Sequence, residues 1–473
     1  MKNILLFLIL SFPICCLAQK VSPSDSVTKE IISLFNDENF EQIYSDCSND
    51  FHDAISKSQF LAFCVQLKFS EGKIKKYFFL RSESAVEQYD IVFEKDTLNM
   101  WLGLSKKKKI ATLFFKPHEI KIADKTEISS YDNPLKSKLD FVVDSIMRPY
   151  ILRGSSVGAI IGIIKNDQNF IYRYGETKRG NKTLPDTNTI FEIASISKTF
   201  TSLLLSLEVQ KNKINLNDPI NKFLPSSVPF QGFHSKPVLI KYLANHSSGL
   251  PGLPSNFSNQ KPFYDNDNPY KNYGKQEMYS FLKTYKYSIE PGKKYEYSNF
   301  AVGLLGNILE KATDLTFEQL LEKEICKPLN LTNTRLKIAS EKEKQIAQGY
   351  NSKREAVHLW DFKALAAAGG IRSTINDMVK YAKAYLKPPN EQYRLAIELC
   401  EKISFEGDSK KVGLGWHLIN TGSKNIYFHN GQTSGFVSFI SYDREKKSAV
   451  IILVNSITLV DKEGVELMKY LEK

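Results

Sequence analysis

A serine and a lysine three residues apart, in Ser195-Ile196-Ser197-Lys198, stand near the start of a stretch with helical spacing. On a helix that separation puts both side chains on one face, close enough for the amine to take the hydroxyl proton. Such a pair is suited to nucleophilic attack on a carbonyl. Further along, Tyr297-Ser298-Asn299 offers a phenol and an amide that alternate along an extended loop. His429-Asn430-Gly431-Gln432 then offers an imidazole, a residue without a side chain and a backbone N–H at the start of a strand region.

Ser-x-x-Lys by itself carries little weight, because it recurs at Ser26/Lys29, Ser70/Lys73 and Ser105/Lys108 with nothing catalytic around it. Taken singly, Ser195 also reads as a first-turn cap and Lys198 as a solvated lysine. Tyr297 reads equally as a packing aromatic, Asn299 as a helix cap and His429 as a strand-end histidine. The surroundings separate Ser195 from the other serines. Phe191-Glu192-Ile193-Ala194 leads into it, and Phe200, Leu203, Leu204 and Leu207 follow at helical spacing. A helix buried on that face holds both side chains still. Burial and the positive end of the helix both favour a neutral Lys198, able to act as a base near neutral pH. The N–H groups of Ser195 and Gln432 are placed to form an oxyanion hole, and Gly431 leaves room for a substrate against the strand edge. Tyr297, beside an ammonium, is expected to have a lowered pKa and to shuttle a proton. Asn299 both donates and accepts, which suits a substrate carbonyl on one side and the lysine on the other.

The elements that must position these groups fall into two parts. Residues 27–35 and 58–69 read as helices, and short strands follow between residues 76 and 116. Lys106 to Lys109 form the turn of a hairpin between Trp101-Leu102-Gly103-Leu104 and Ile110-Ala111-Thr112-Leu113-Phe114-Phe115. Helices followed by an antiparallel sheet make a small α+β accessory domain, whose order loosely resembles nuclear-transport-factor-like domains. A polar stretch over 125–134, ending in Asn133-Pro134, marks the boundary. Beyond it, strands over 157–164 and 169–174, turned at Asn166-Asp167, and strands over 435–440 and 448–455 enclose a helical middle, with a last helix over 463–471. A sheet completed by both ends of this part is expected. The division is thus residues 1–18, 19–130 and 131–473.

Residues 1–18 have the make-up of a secretory signal peptide: Lys2, an apolar run, then Ala18 at the expected cut. The chain is therefore expected to be exported, to the periplasm or beyond, with no transmembrane segment in its mature form. Neither Cys15 nor Cys16 follows the small residue that lipoprotein processing prefers. Cys47, Cys64, Cys326 and Cys400 then remain, too sparse for a disulfide scaffold. Cys47 and Cys64 either pair or stay as buried thiols. The net charge of +12 is scattered and lacks any nucleic-acid-binding motif. Gly154-Ser155-Ser156-Val157-Gly158 matches a nucleophile-elbow pattern but has a helix before it and a strand after it, the reverse of what an elbow needs. His246 reads as a cap or a support beside the cleft. No His-Glu-x-x-His arrangement and no phosphate loop is present.

Taken in order, Ser195/Lys198, Tyr297/Asn299 and His429/Gly431 resemble the three motifs of the serine beta-lactamase-related hydrolases, closest to the class C, carboxypeptidase and esterase-like branch. Residues 216–220, 246–251 and 368–374 with Asp377 strengthen the resemblance. It implies an α+β fold in which an antiparallel sheet is flanked by helices and carries a mostly helical subdomain. It also implies Ser195 as nucleophile, Lys198 and Tyr297 as proton carriers, and Asn299, His429, Gly431 and Gln432 as the substrate-binding side. Neither metal nor organic cofactor is required. The substrate would be a small ester, a peptide or a cell-wall fragment. True class C beta-lactamases carry lysine where His429 stands, so a neutral histidine makes a weaker anchor for an anion. The same pattern fits a D-alanyl-D-alanine carboxypeptidase or a beta-lactamase. It also fits a non-catalytic cell-wall-binding or sensor protein whose hydrolase-like domain only recognises acyl groups.

Overall fold

The computed structural model describes residues 24–83, 86–117, 125–230, 232–234, 236–407, 410–420 and 425–472. The expected signal peptide lies outside the described residues. The chain divides into two units, Met1–His118 and Glu119–Lys473. Residues 125–132, polar in sequence, belong to the second unit. Lys125 N donates to Leu152 O, and Gly175 N donates to Ser130 O.

In the first unit, Asp25–Asn36 buries Thr28, Ile31 and Phe35 on one face. Ser56 and Gln59 form a capping box that starts Lys57–Glu71. Four strands follow as an antiparallel meander, Ile74–Glu83, Val86–Phe93, Thr97–Leu104 and Ile110–Pro117. The lysine-rich turn joins the last two as expected, and Trp101 stacks on Phe114 across them at 5.4 Å. Cys47 and Cys64 are free and buried, and burial pushes both thiols up to about 12.

The second unit is built on an eight-stranded antiparallel sheet. Its order is Phe405–Glu406, Lys411–Val412, His417–Asn420, Asn425–Gln432, Val437–Asp443, Ser448–Val454, Gly158–Lys165 and Gln168–Gly175. The first strands of the unit thus complete a sheet made mostly by its last strands, with Ile161 opposite Ile452. Helices cover both faces, which is why the central strands are buried at every position rather than at alternate ones. Ile161, Ile163, Val450 and Ile452 face the helices Lys138–Leu152 and Asp461–Leu471. Ile160, Ile164, Ile451 and Leu453 face the larger core that holds the helix Ser197–Gln210 and the helical subdomain. The α+β expectation holds for both units. Among the described residues no helix is long and apolar enough to cross a membrane.

The helix Asn299–Thr313 runs against the short segments Lys363–Leu365 and Ala366–Gly369. A Cβ at Gly306 would lie 2.3 Å from the Cβ of Ala367, so this contact requires glycine. The same approach brings Asn299 and the Ala368 carbonyl within hydrogen-bond reach of Lys198. Gly306→Val is expected to cost about 1–3 kcal/mol through overpacking. Urea unfolding of the full chain measures it, and an unchanged midpoint would mean that the helix yields freely.

Candidate active site

Ser195 lies in a short 3-10 turn, Ala194–Ile196, wedged between a strand and a helix. The strand, Ile190–Glu192, pairs with Arg372–Thr374, and Ile193 N donates to Ile371 O at 3.1 Å. Ala194 takes φ +48, a left-handed value that costs energy for a residue with a Cβ. That kink turns the chain from the strand into the helix Ser197–Gln210. The helix is buried almost all round, polar residues included, from Ser197 to Glu208.

Lys198 is fully buried. Its Nζ stands 3.0 Å from Ser195 Oγ, 2.7 Å from Asn299 Oδ1 and 2.6 Å from Ala368 O. Burial pulls its pKa well below the usual lysine range. A neutral amine has two N–H bonds and one lone pair. The amide oxygen and the carbonyl can only accept, so they take the two hydrogens. The lone pair is left for the Ser195 hydroxyl, which is the arrangement a general base needs.

Tyr297 comes from the segment before the helix Asn299–Thr313 and Asn299 is that helix's first residue, with Ser298 capping the helix through Ala301 N. The loop at 246–251 fixes this segment. Glu296 N donates to His246 O at 2.6 Å, Ser298 N donates to His246 Nδ1 at 3.1 Å, and Ser298 Oγ donates to Pro251 O at 2.6 Å. The Tyr297 ring centroid lies 4.8 Å from Lys198 Nζ. The phenol is shifted in the opposite direction from the sequence expectation. Desolvation raises its pKa, and nearby Ser195 only partly offsets that. The expected lowering required a charged lysine, and a neutral Lys198 supplies no such field. Tyr297 is still 36% exposed, which moderates the rise without reversing its sign. The phenol therefore stays protonated at neutral pH.

His429 and Gly431 lie on the strand Asn425–Gln432, which ends with Gln432 opposite Val437. Gly431 sits against the nucleophile turn. A Cβ there would fall 2.6 Å from Ile193 O and 2.8 Å from Ser195 N. The space expected for a substrate is filled by the protein's own backbone, and the missing side chain lets strand and turn meet.

His429 Nδ1 contacts Asn430 O at 2.6 Å, so the hydrogen is on Nδ1 and Nε2 carries the lone pair. His246 is the reverse: its Nδ1 accepts from Ser298, which leaves the hydrogen on Nε2. A third imidazole, His417, escaped the sequence reading. Its Nε2 meets Tyr295 Oη at 2.8 Å, and its ring lies 5.1 Å from that of His429 and 6.4 Å from that of His246. His246 Nε2, His417 Nδ1 and His429 Nε2 are each buried without a protein partner. Burial is the main reason all three sit below the usual histidine range, with His417 pulled down to about 4. Lys410 stands 4.5 Å over the Tyr295 ring and contributes to the lowering of His417. Only the fragment Gly-Trp-His at 415–417 could have flagged His417, and it has no chemistry of its own. Among the described residues no group of three or more His, Cys, Asp and Glu is placed to hold a metal ion.

The sequence-derived residues therefore converge. Ser195, Lys198, Tyr297 and Asn299 are in direct contact or one residue removed, with the His429 to Gln432 strand end against them. An acyl carbonyl reaching Ser195 would meet a hydroxyl already aimed at a base. Because His417 binds its proton less readily folded than unfolded, stability should be complete above about pH 6.5 and decline as pH falls toward about 4. His417→Gln should flatten that decline in thermal unfolding followed between pH 4 and 7; an unchanged slope would remove His417 as its source.

The Beta-lactamase family model matches residues 143–466. A protein named Beta-lactamase from Pseudomonas fluorescens is 26% identical over 347 residues, covering 66% of this chain and 92% of that relative. The D-alanyl-D-alanine-carboxypeptidase/endopeptidase AmpH of Escherichia coli is 25% identical over 333 residues, covering 67% of this chain and 84% of AmpH. Protein flp of Staphylococcus aureus is 27% identical over 325 residues, covering 66% of this chain and 62% of that relative. With Ser195 in the turn that leads into the helix carrying Lys198, both in a unit built on an antiparallel sheet, and a family model matched across the same unit, this chain belongs to the Beta-lactamase family, as a hydrolase of that fold.

Proposed function

We propose that this chain is an exported serine hydrolase that cleaves an ester or peptide bond through an acyl-enzyme on Ser195. What carries the reading is the 3.0 Å separation of Lys198 Nζ and Ser195 Oγ, with both amine hydrogens directed elsewhere. The Ser195 proton passes to Lys198 as Oγ bonds to the carbonyl carbon. The N–H groups of Ser195 and Gln432 hold the oxyanion that forms. The proton then reaches the leaving alcohol or amine through Tyr297, which donates its own and takes one from Lys198. A neutral phenol is suited to that relay. Water, giving its proton back through Tyr297, releases the acid and restores Ser195.

Asn299 and the imidazole wall orient the acyl group, and no metal or organic cofactor enters these steps. Export follows from the signal-like residues 1–18, and the substrate is a small ester or a peptide, including one from the cell wall. A neutral His429 in place of a charged anchor argues against efficient beta-lactam hydrolysis, although two of the relatives carry that name.

Ser195→Ala is expected to lower p-nitrophenyl ester turnover at least ~1000-fold and to abolish fluorophosphonate labelling, with the fold intact by circular dichroism. Turnover unchanged in that variant would defeat the proposal. Wild-type protein should hydrolyse a short acyl ester or a D-Ala-D-Ala peptide with kcat/KM at least ~100-fold above that for nitrocefin. Nitrocefin hydrolysis at the ester's rate would instead assign beta-lactamase action.

A further inference from the structure

A second concave site lies in the same unit, away from Ser195. It is a cavity of about 330 Å³ bounded by the loop after Gln168–Gly175, the hairpin carrying Arg354, and the chain from Lys125. Lys125, Arg179, Lys182 and Arg354 line it together with Glu127 and Glu176. Four cations against two carboxylates leave an excess of two positive charges.

The carboxylates do little to reduce that excess. Glu176 is buried and committed to its own loop, its oxygens accepting from Gly180 N at 2.7 Å and Lys182 N at 3.1 Å. Among the described residues none of the four cations forms an ion pair, and none has a further partner beyond those described. Lys125 Nζ donates only to the Ser156 carbonyl. The Arg179 guanidinium lies 5.1 Å over the Tyr350 ring, with Nη2 buried and unpartnered. Arg354 Nε is likewise buried and unpartnered.

The cations also repel one another. Burial and then Arg179 pull Lys125 down, while burial and then Arg354 pull Arg179 down. Buried donors and like charges gathered without a counter-ion are costly, and the cost falls when an anion enters. Two guanidinium groups beside a lysine match the oxygens of a phosphate or a carboxylate better than any neutral ligand. A cavity of this size takes a small molecule rather than a polymer.

We infer that Lys125, Arg179, Lys182 and Arg354 form a binding site for a small dianion carrying phosphate or carboxylate oxygens. This site stands apart from the acyl-transfer reading and does not depend on it. Its occupant stabilises the fold by filling a charge vacancy that the protein leaves in place.

Thermal unfolding and titration calorimetry of the full chain test this, with sodium phosphate, phenyl phosphate and succinate compared with sodium chloride at equal ionic strength. At least one dianion should bind wild-type protein saturably and raise its melting temperature beyond the chloride control. The arm that responds distinguishes phosphate from carboxylate. The Arg179→Gln/Arg354→Gln double variant should bind that dianion at least tenfold more weakly and, without it, melt no lower than wild type. Lys182→Gln, at an exposed position, should weaken binding severalfold and keeps the test open if the double variant does not fold. No calorimetric binding by wild type, or equal affinity in the variants, would overturn the inference.

Discussion

One buried amine organises the larger unit. Among the described residues Lys198 has no carboxylate to balance a charge, and its burial favours the amine without its extra proton. Once neutral, it has two hydrogens to place and one lone pair. Asn299 Oδ1 and Ala368 O receive the hydrogens. Those acceptors lie far along the chain from Lys198, so the direction of the lone pair is a property of the assembled fold. The Ala194–Ile196 turn and the helix Ser197–Gln210 that continues it supply proximity between Ser195 and Lys198. The helix Asn299–Thr313 and the segment Ala366–Gly369 supply orientation.

The same neutrality spreads through the site. With Lys198 uncharged there is no ammonium to draw a proton off Tyr297, and the three imidazoles are each desolvated and neutral. On the proposed mechanism, negative charge developing on a substrate oxygen would be met by the N–H groups of Ser195 and Gln432. Gly431 suits that role. Without a Cβ the strand end closes on the Ala194–Ile196 turn, and the dipoles of both can point into one small volume. The left-handed φ of Ala194 fits the same geometry, because a relaxed turn would aim Ser195 N elsewhere.

Much of this was legible from residue types and spacing. Ser195 and Lys198 meet because they are one helical turn apart, and Tyr297 and Asn299 face the site because they flank a capping serine. Local rules reach that far. Helices at 299–313 and 461–471, and a sheet closed by strands from both ends of its unit, follow from apolar periodicity. The sign of the Tyr297 shift was beyond local rules, since it depends on whether Lys198 is charged, which distant packing decides. His417 was hidden for a related reason. It lies on a four-residue strand, and only the register that sets it opposite Phe428 brings it to His429. Residues 125–132 look like a linker because they are polar, yet they belong to the second unit through backbone bonds that composition does not reveal. The four thiols were open in sequence, and all are buried and free.

The imidazoles place a limit on what can sit against their buried free nitrogens. His246 offers a hydrogen at Nε2 and His429 a lone pair at Nε2, so between them they match a group that both accepts and donates. An amide or a hydroxyl satisfies both, whereas a carboxylate satisfies only the donor and leaves His429 Nε2 facing an acceptor. Protonating His429 would remove that conflict, but its burial opposes the charge. Discrimination in this wall thus comes from matching uncharged donors to acceptors, and a buried acceptor left unmatched costs about 1–3 kcal/mol. That corresponds to roughly five- to 160-fold between a matched and an unmatched group.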